Sequence, residues 1–170
     1  MTTATRRTPM IGNAGLTLIQ HFEGCARRQA DGTLAAYPDP GTGGAPWTIG
    51  WGSTGPDIAP GVIWTPAQCD ARFRNDITAF AARVAAAIGI ATTGQHQFDA
   101  FVAFAYNVGV LNLHTSTLLK KHIAGDYAGA RAEFAKWDKA DGHVLPGLAI
   151  RRAAEAALYA TPDTLPAPTY

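Results

Sequence analysis

Glutamate is scarce in this chain: Glu23, Glu133 and Glu155 are the three it contains. Glu23 falls four residues after Ile19 and seven after Leu16, which puts it on the apolar face of a helical segment, at that segment's end. A carboxyl partly withdrawn from water there has its pKa pushed up and can hold a proton near neutrality, as a general acid must. An ordinary glutamate reaching solvent from a helix end has the same spacing. Asp39 lies in Tyr37-Pro38-Asp39-Pro40-Gly41, where two prolines and a glycine set turns. Ionised, it could serve as the base that activates a water, and it could equally bond its own backbone as turn aspartates do. Thr48, in Trp47-Thr48-Ile49-Gly50-Trp51, reads as a strand residue whose hydroxyl could orient that water, or as β propensity alone.

Other chemistries fit less well. The two serines, Ser53 and Ser116, lie outside any G-x-S-x-G elbow, which argues against a serine hydrolase. Gly50-Trp51-Gly52-Ser53-Thr54-Gly55 matches G-x-G-x-x-G, but Pro56 to Pro60 follow where a phosphate-binding helix would begin, so the match reads as a glycine-rich turn. His21, His96, His114, His122 and His143 are scattered without ligand spacing, so no metal is expected. Cys25 and Cys69 form neither a C-x-x-C pair nor a disulfide scaffold, and reduced thiols are expected, Cys25 buried and inert.

The elements that must carry these residues follow from glycine and proline. Nine of the 18 glycines and five of the 11 prolines fall between Gly24 and Gly61, whereas no proline occurs from Ala67 to Leu145. Turns and short strands are expected in the first stretch and helices in the second. A first helix over about 13–28 starts from Asn13 as cap and carries Leu16, Ile19 and Phe22. Thr65-Pro66-Ala67-Gln68 is a capping box, and Phe73, Ile77, Phe80, Val84 and Ile88 then mark a core-facing stripe. Further helices are predicted at 94–107, 115–124, 126–139 (capped by Asp126) and 147–160, with 161–170 a loosely held tail. The fold class is α+β and mainly helical: an opening helix, a β lobe at about 30–64, and a helical bundle, with a groove between as the natural ligand site.

Length and composition bound the answer. A chain of 170 residues fits one domain, and 47% hydrophobic content excludes extensive disorder. A formal charge of +1 gives no basic excess for nucleic acid, and no apolar run is long enough to span a bilayer or form a signal core. A soluble, cytoplasmic product is expected.

Taken together, Leu18-Ile19-Gln20-His21-Phe22-Glu23-Gly24, Ala36-Tyr37-Pro38-Asp39 and Trp47-Thr48-Ile49-Gly50-Trp51-Gly52 resemble the phage-type lysozymes (T4 lysozyme-like, glycoside hydrolase family 24). The resemblance continues through Phe98 to Gly109, Ser116-Thr117-Leu118-Leu119, Gly125-Asp126-Tyr127, Phe134-Ala135-Lys136-Trp137 and Gly147 to Glu155, covering about residues 13–160. It implies one lysozyme-like catalytic domain over 1–170, divided into opening helix and β lobe (13–64), helical lobe (65–160) and tail. Glu23, Asp39 and Thr48 would be its catalytic set, with Asn107, Ser116, Thr117, Arg151 and Arg152 lining the substrate site. Helix capping is the alternative for Ser116 and Thr117, and solvated arginines for Arg151 and Arg152, one of which could instead approach Glu23. Trp47, Trp51 and Trp64 would be sugar-facing rings or core. Asp31 competes with Asp39, because Gln29–Ala35 and Gly41–Pro46 look like insertions, but Asp31-Gly32 reads better as a hairpin tip. Ser53 stands where the family commonly has histidine.

The implied activity is an inverting muramidase acting on peptidoglycan glycan strands without cofactor, with no nucleic acid and no direct membrane insertion. It implies a monomeric phage or prophage endolysin, held in the host cytoplasm until a holin opens the membrane and acting in the periplasm thereafter. A lytic transglycosylase, which would use Glu23 without Asp39, and an inactive wall-binding homologue are the alternatives.

Overall fold

A computed structural model describes residues 10–24, 27–39, 42–140 and 142–163. Cys25 and most of the expected tail lie outside them. The elements in chain order are α1 (Asn13–Glu23), β1 (Leu34–Ala35), β2 (Tyr37–Pro38), β3 (Trp47–Ile49), β4 (Ser53–Thr54), β5 (Ile63–Trp64), α2 (Pro66–Ile88) and α3 (Gln95–Val108). They continue with α4 (Val110–Thr115), α5 (Thr117–Ile123), α6 (Tyr127–Glu133), a 3-10 turn (Phe134–Trp137), β6 (Lys139–Ala140), β7 (His143–Val144) and α7 (Pro146–Ala160). The mainly helical fold with small antiparallel sheets is the one the sequence implies. The chain divides into two compact units, one from Gln20 to Ala79 and the other from the segments up to Ile19 and from Phe80 onward, so both α1 and α2 contribute to each.

In the Gln20–Ala79 unit the strands are short and antiparallel. β1 pairs with β5, and β2, β3 and β4 form a meander in which Tyr37 faces Thr48 and Thr48 faces Thr54. Leu34, Ile49, Ile58 and Cys69 form its buried core, and Trp47, Trp51 and Trp64 pack against them, so the core reading of these rings holds. The G-x-G-x-x-G match lies in the β3–β4 turn, where Gly50 and Gly52 adopt φ of 61° and 93°, as expected of a chance hit. Gly50 is required twice over: a Cβ there would lie 2.8 Å from the Cβ of Cys69.

The other unit is built around α3, in which every residue from Phe98 to Ala105 is buried, the pattern of a helix enclosed on all sides. Phe104 meets Phe134 and Trp137 edge-on, and Phe101 meets His122 and Tyr159.

Several expected boundaries move. α1 stops at Glu23 rather than near 28, because Gly24 takes φ of 63° and its N–H closes on the carbonyl of Gln20 (3.2 Å). Arg28 instead bridges to Leu34. The N-terminus of α1 is capped by Asp99, not by Asn13: its Oδ1 accepts from Gly12 N (2.8 Å) and its Oδ2 from Gly15 N (3.2 Å). Residues 110–115 form the separate helix α4, since Gly109, at φ 91°, ends one helix and starts the next. The helix expected to reach 139 tightens into the 3-10 turn at Phe134, and β6 and β7 follow as a hairpin. In the α2 stripe Phe73, Ile77, Val84 and Ile88 are buried, but Phe80 is only half-buried and Ala81 takes the core position.

Candidate active site

All three candidate catalytic residues belong to the Gln20–Ala79 unit. Glu23 is the last residue of α1 and is half-buried. It sits one turn beyond Ile19, which is fully buried, so the apolar stripe carries the carboxylate to the edge of the core.

Asp39 and Thr48 are related through one β ladder. Tyr37 faces Thr48 across β2–β3, and Asp39 lies two residues beyond Tyr37, its N–H bonding the carbonyls of Gly44 (3.0 Å) and Pro46 (3.2 Å). Asp39 follows Pro38, which pairs with Trp47, so it lies just past the end of β2, with Thr48 one residue along β3 from that last pair. Asp39 Oδ1 accepts from Thr42 N (3.0 Å), and Gly43 N bonds the Asp39 carbonyl (2.8 Å). The loop that follows β2 thus holds the Asp39 carboxylate through the Thr42 N–H. Both Asp39 and Thr48 are half-buried.

Asp31 lies at an exposed turn tip. Its Oδ1 accepts from both the N–H (2.9 Å) and hydroxyl (2.7 Å) of Thr33, which hold its carboxyl below the usual range. It is committed to the turn, as a hairpin-tip aspartate is.

The substrate-lining candidates lie in the other unit. Arg151 and Arg152 are not solvated: they are 5% and 1% exposed and flank Glu155, which is fully buried. Arg151 Nε donates to Glu155 Oε1 at 3.1 Å, and Arg152 Nε stands 3.3 Å from Oε2. Burial raises the Glu155 carboxyl against the pull of both guanidiniums, Arg152 before Arg151. Arg152 also lies 5.0 Å over the Phe104 ring, and its Nη2 donates to Asn107 Oδ1 at 2.6 Å. That bond fixes the Asn107 amide, so its NH2 points away from Arg152 as a donor on an exposed residue. Ser116 is a helix cap: its buried hydroxyl accepts from Leu119 N (3.0 Å) and donates to Leu113 O (2.7 Å), while Thr117 beside it is exposed. All three are buried: Arg151 and Arg152 face Glu155, and Ser116 closes on its own helix end.

Sequence reading passed over Asp70. Trp51, just past β3, donates its indole N–H to Asp70 Oδ1 at 2.7 Å, and Gln20 Nε2 reaches the same oxygen at 3.4 Å. Among the described residues no group of three or more His, Cys, Asp or Glu is placed to hold a metal ion.

A half-buried carboxylate ending a helix and, in the same unit, a small meander carrying Thr48 with Asp39 just past its first strand, in a mainly helical chain, are the features of a lysozyme-like protein. A phage lysozyme family model matches residues 20–155, and the chain belongs to that family. It is 39% identical over 153 residues to an endolysin of Acyrthosiphon pisum secondary endosymbiont phage 1, covering 88% of this chain and 97% of that one. It is 41% identical over 149 residues to the endolysin of Bacillus phage PZA, covering 88% of this chain but spanning 54% of the relative. Among solved structures, the muramidase domain of SpmX from Asticaccaulis excentricus superposes with a TM-score of 0.76 at 31% identity, covering 89% of this chain and 98% of that one.

Proposed function

We propose that this chain is a muramidase that hydrolyses the β-1,4 bond between N-acetylmuramic acid and N-acetylglucosamine in peptidoglycan, and that it serves as a phage or prophage endolysin. The observation that carries the reading is the β2–β3 ladder, which sets Thr48 opposite Tyr37 with Asp39 just past its end, in the same unit as the α1 terminus bearing Glu23. Glu23 protonates the leaving glycosidic oxygen. Asp39 draws a proton from a water that the Thr48 hydroxyl helps to hold, and that water attacks the anomeric carbon from the opposite face. Attack from that face inverts the anomeric centre, which requires the two carboxyls roughly 6.5–9.5 Å apart with a water between them. Substrate binding through Asn107, whose amide Arg152 orients, and through the exposed Thr117 belongs to the same reading, with Arg151 and Ser116 in supporting roles within their own unit.

The endolysin reading places the protein in the host cytoplasm as a monomer, dependent on a holin for access to the periplasm. No helix among the described residues is long and apolar enough to cross a membrane.

Digestion of purified peptidoglycan by wild type, Glu23→Gln and Asp39→Ala, with the released muropeptides identified by mass and the first-formed anomer by NMR, tests the mechanism. Reducing-end α-anomers from wild type and loss of activity in both variants are expected. Anhydro products with an active Asp39→Ala would replace the hydrolase by a transglycosylase.

A further inference from the structure

We propose that Asp70 is a positioning residue for this reaction: through one carboxylate oxygen it fixes the turn of α1 that carries the acid and the hairpin that carries Thr48. The inference rests on the muramidase reading above. Two donors from separate elements meet at Asp70 Oδ1, the indole N–H of Trp51 at 2.7 Å and the amide of Gln20 at 3.4 Å. Gln20 precedes Glu23 by three residues, so the two share a face of α1 and a shift of one moves the other. Trp51 follows Thr48 by three residues through the tight turn at Gly50.

The hairpin also rests on α2 through backbone contact, since a side chain at Gly50 would collide with Cys69, the neighbour of Asp70. Asp70 therefore adds an orienting bond to an apolar seat that already exists. The seat, formed by Cys69 and the rest of the Leu34–Ile49–Ile58 cluster, stays in place when the bond is removed. What the carboxylate contributes is alignment of the general acid with the water-holding strand. Misplacement of such groups by about 1 Å costs on the order of 100-fold in rate.

The test is steady-state kinetics on soluble glycan strands for Asp70→Ala, Asp70→Asn, Trp51→Phe and the Asp70→Ala/Trp51→Phe pair, with Glu23→Gln alongside and thermal melts for each. Asp70→Ala is expected to lower kcat about 10–100-fold with KM within twofold. Asp70→Asn, which keeps an acceptor oxygen, should recover most of that loss. Trp51→Phe, which keeps the ring but removes the donor, should lower kcat in the same direction, and the double variant should lose no more than the worse single one. Full kcat in Asp70→Ala and Trp51→Phe overturns the proposal, as does a loss carried by KM or an additive double variant. Should Asp70→Ala fail to fold, Trp51→Phe decides by the same kcat criterion. Activity retained by Glu23→Gln would overturn the muramidase reading itself, a separate result.

Discussion

The Tyr159 hydroxyl and Nδ1 of His122 lie 2.6 Å apart, within hydrogen-bond distance in the buried core. Thr93 Oγ1 lies 2.8 Å from His122 Nε2, so both ring nitrogens have a hydroxyl partner. Both partners are hydroxyls and burial disfavours the charged ring, so the imidazole is neutral at pH 7. Burial of the same pair pushes the Tyr159 hydroxyl well above its ordinary value.

His122 consequently makes the protein acid-labile. Burial lowers its pKa from 6.5 to about 4, so between those values the unfolded chain binds the extra proton. Stability from this group is fully present above pH 6.5 and is lost as pH falls toward 4, by about 3 kcal/mol in all. Denaturant titrations from pH 7 to 4 should show that slope in wild type, and His122→Phe should flatten it.

Glu155 is the second point of fragility. Removing it leaves two buried guanidiniums facing each other, so Glu155→Ala should cost about 3–5 kcal/mol. Breaking the surface pair Lys121–Asp126, 3.0 Å apart, through Lys121→Ala should cost less than about 1 kcal/mol. Chemical denaturation of the two variants separates them.

Asp99 is 1% exposed and accepts from Gly12 N, Gly15 N and the Gln95 amide (2.7 Å). Asp99→Ala strips the start of α1 of its cap and strands buried donors, for an expected loss of about 2–3 kcal/mol in the same titration.

Thr48→Val keeps shape and strand propensity but removes the hydroxyl. If Thr48 holds the attacking water, kcat falls by about 10–100-fold while the melting temperature changes little, and Thr48→Ser restores most of the rate.

How much of this could be read from the sequence depended on range. The start of α2 was legible because its signal is local: Thr65 and Gln68 bond each other's backbone N–H reciprocally, at 2.8 and 3.3 Å. Asp126 likewise caps α6 through Gly129 N (2.8 Å). Asn13 misled, because the bond that caps α1 comes from α3. Arg151 and Arg152 had a solvated alternative because two adjacent charges on an alanine-rich helix look exposed; Glu155 one turn onward was the signal that they are paired inside. The β6–β7 hairpin was announced by Asp141-Gly142, yet 140–146 was assigned no element and Lys139 was given to the end of the preceding helix. For the site, the residue types and turn context of Glu23, Asp39 and Thr48 were visible, whereas the register that sets Thr48 opposite Tyr37 needed the folded strands. Asp70 carried no sequence signal, since an aspartate on the fifth residue of a helix is ordinary until an indole is found on it.

The Asp99 cap also sets an order of events during synthesis. Gly12 and Asp99 are 87 residues apart, so α1, with the acid at its far end, leaves the ribosome long before the carboxylate that completes its first turn. At about 5–20 residues per second that gap lasts roughly 4–17 s. In that interval the first donors of α1 have only water as partners, and the helix that ends at Glu23 gains its cap only once α3 has been made.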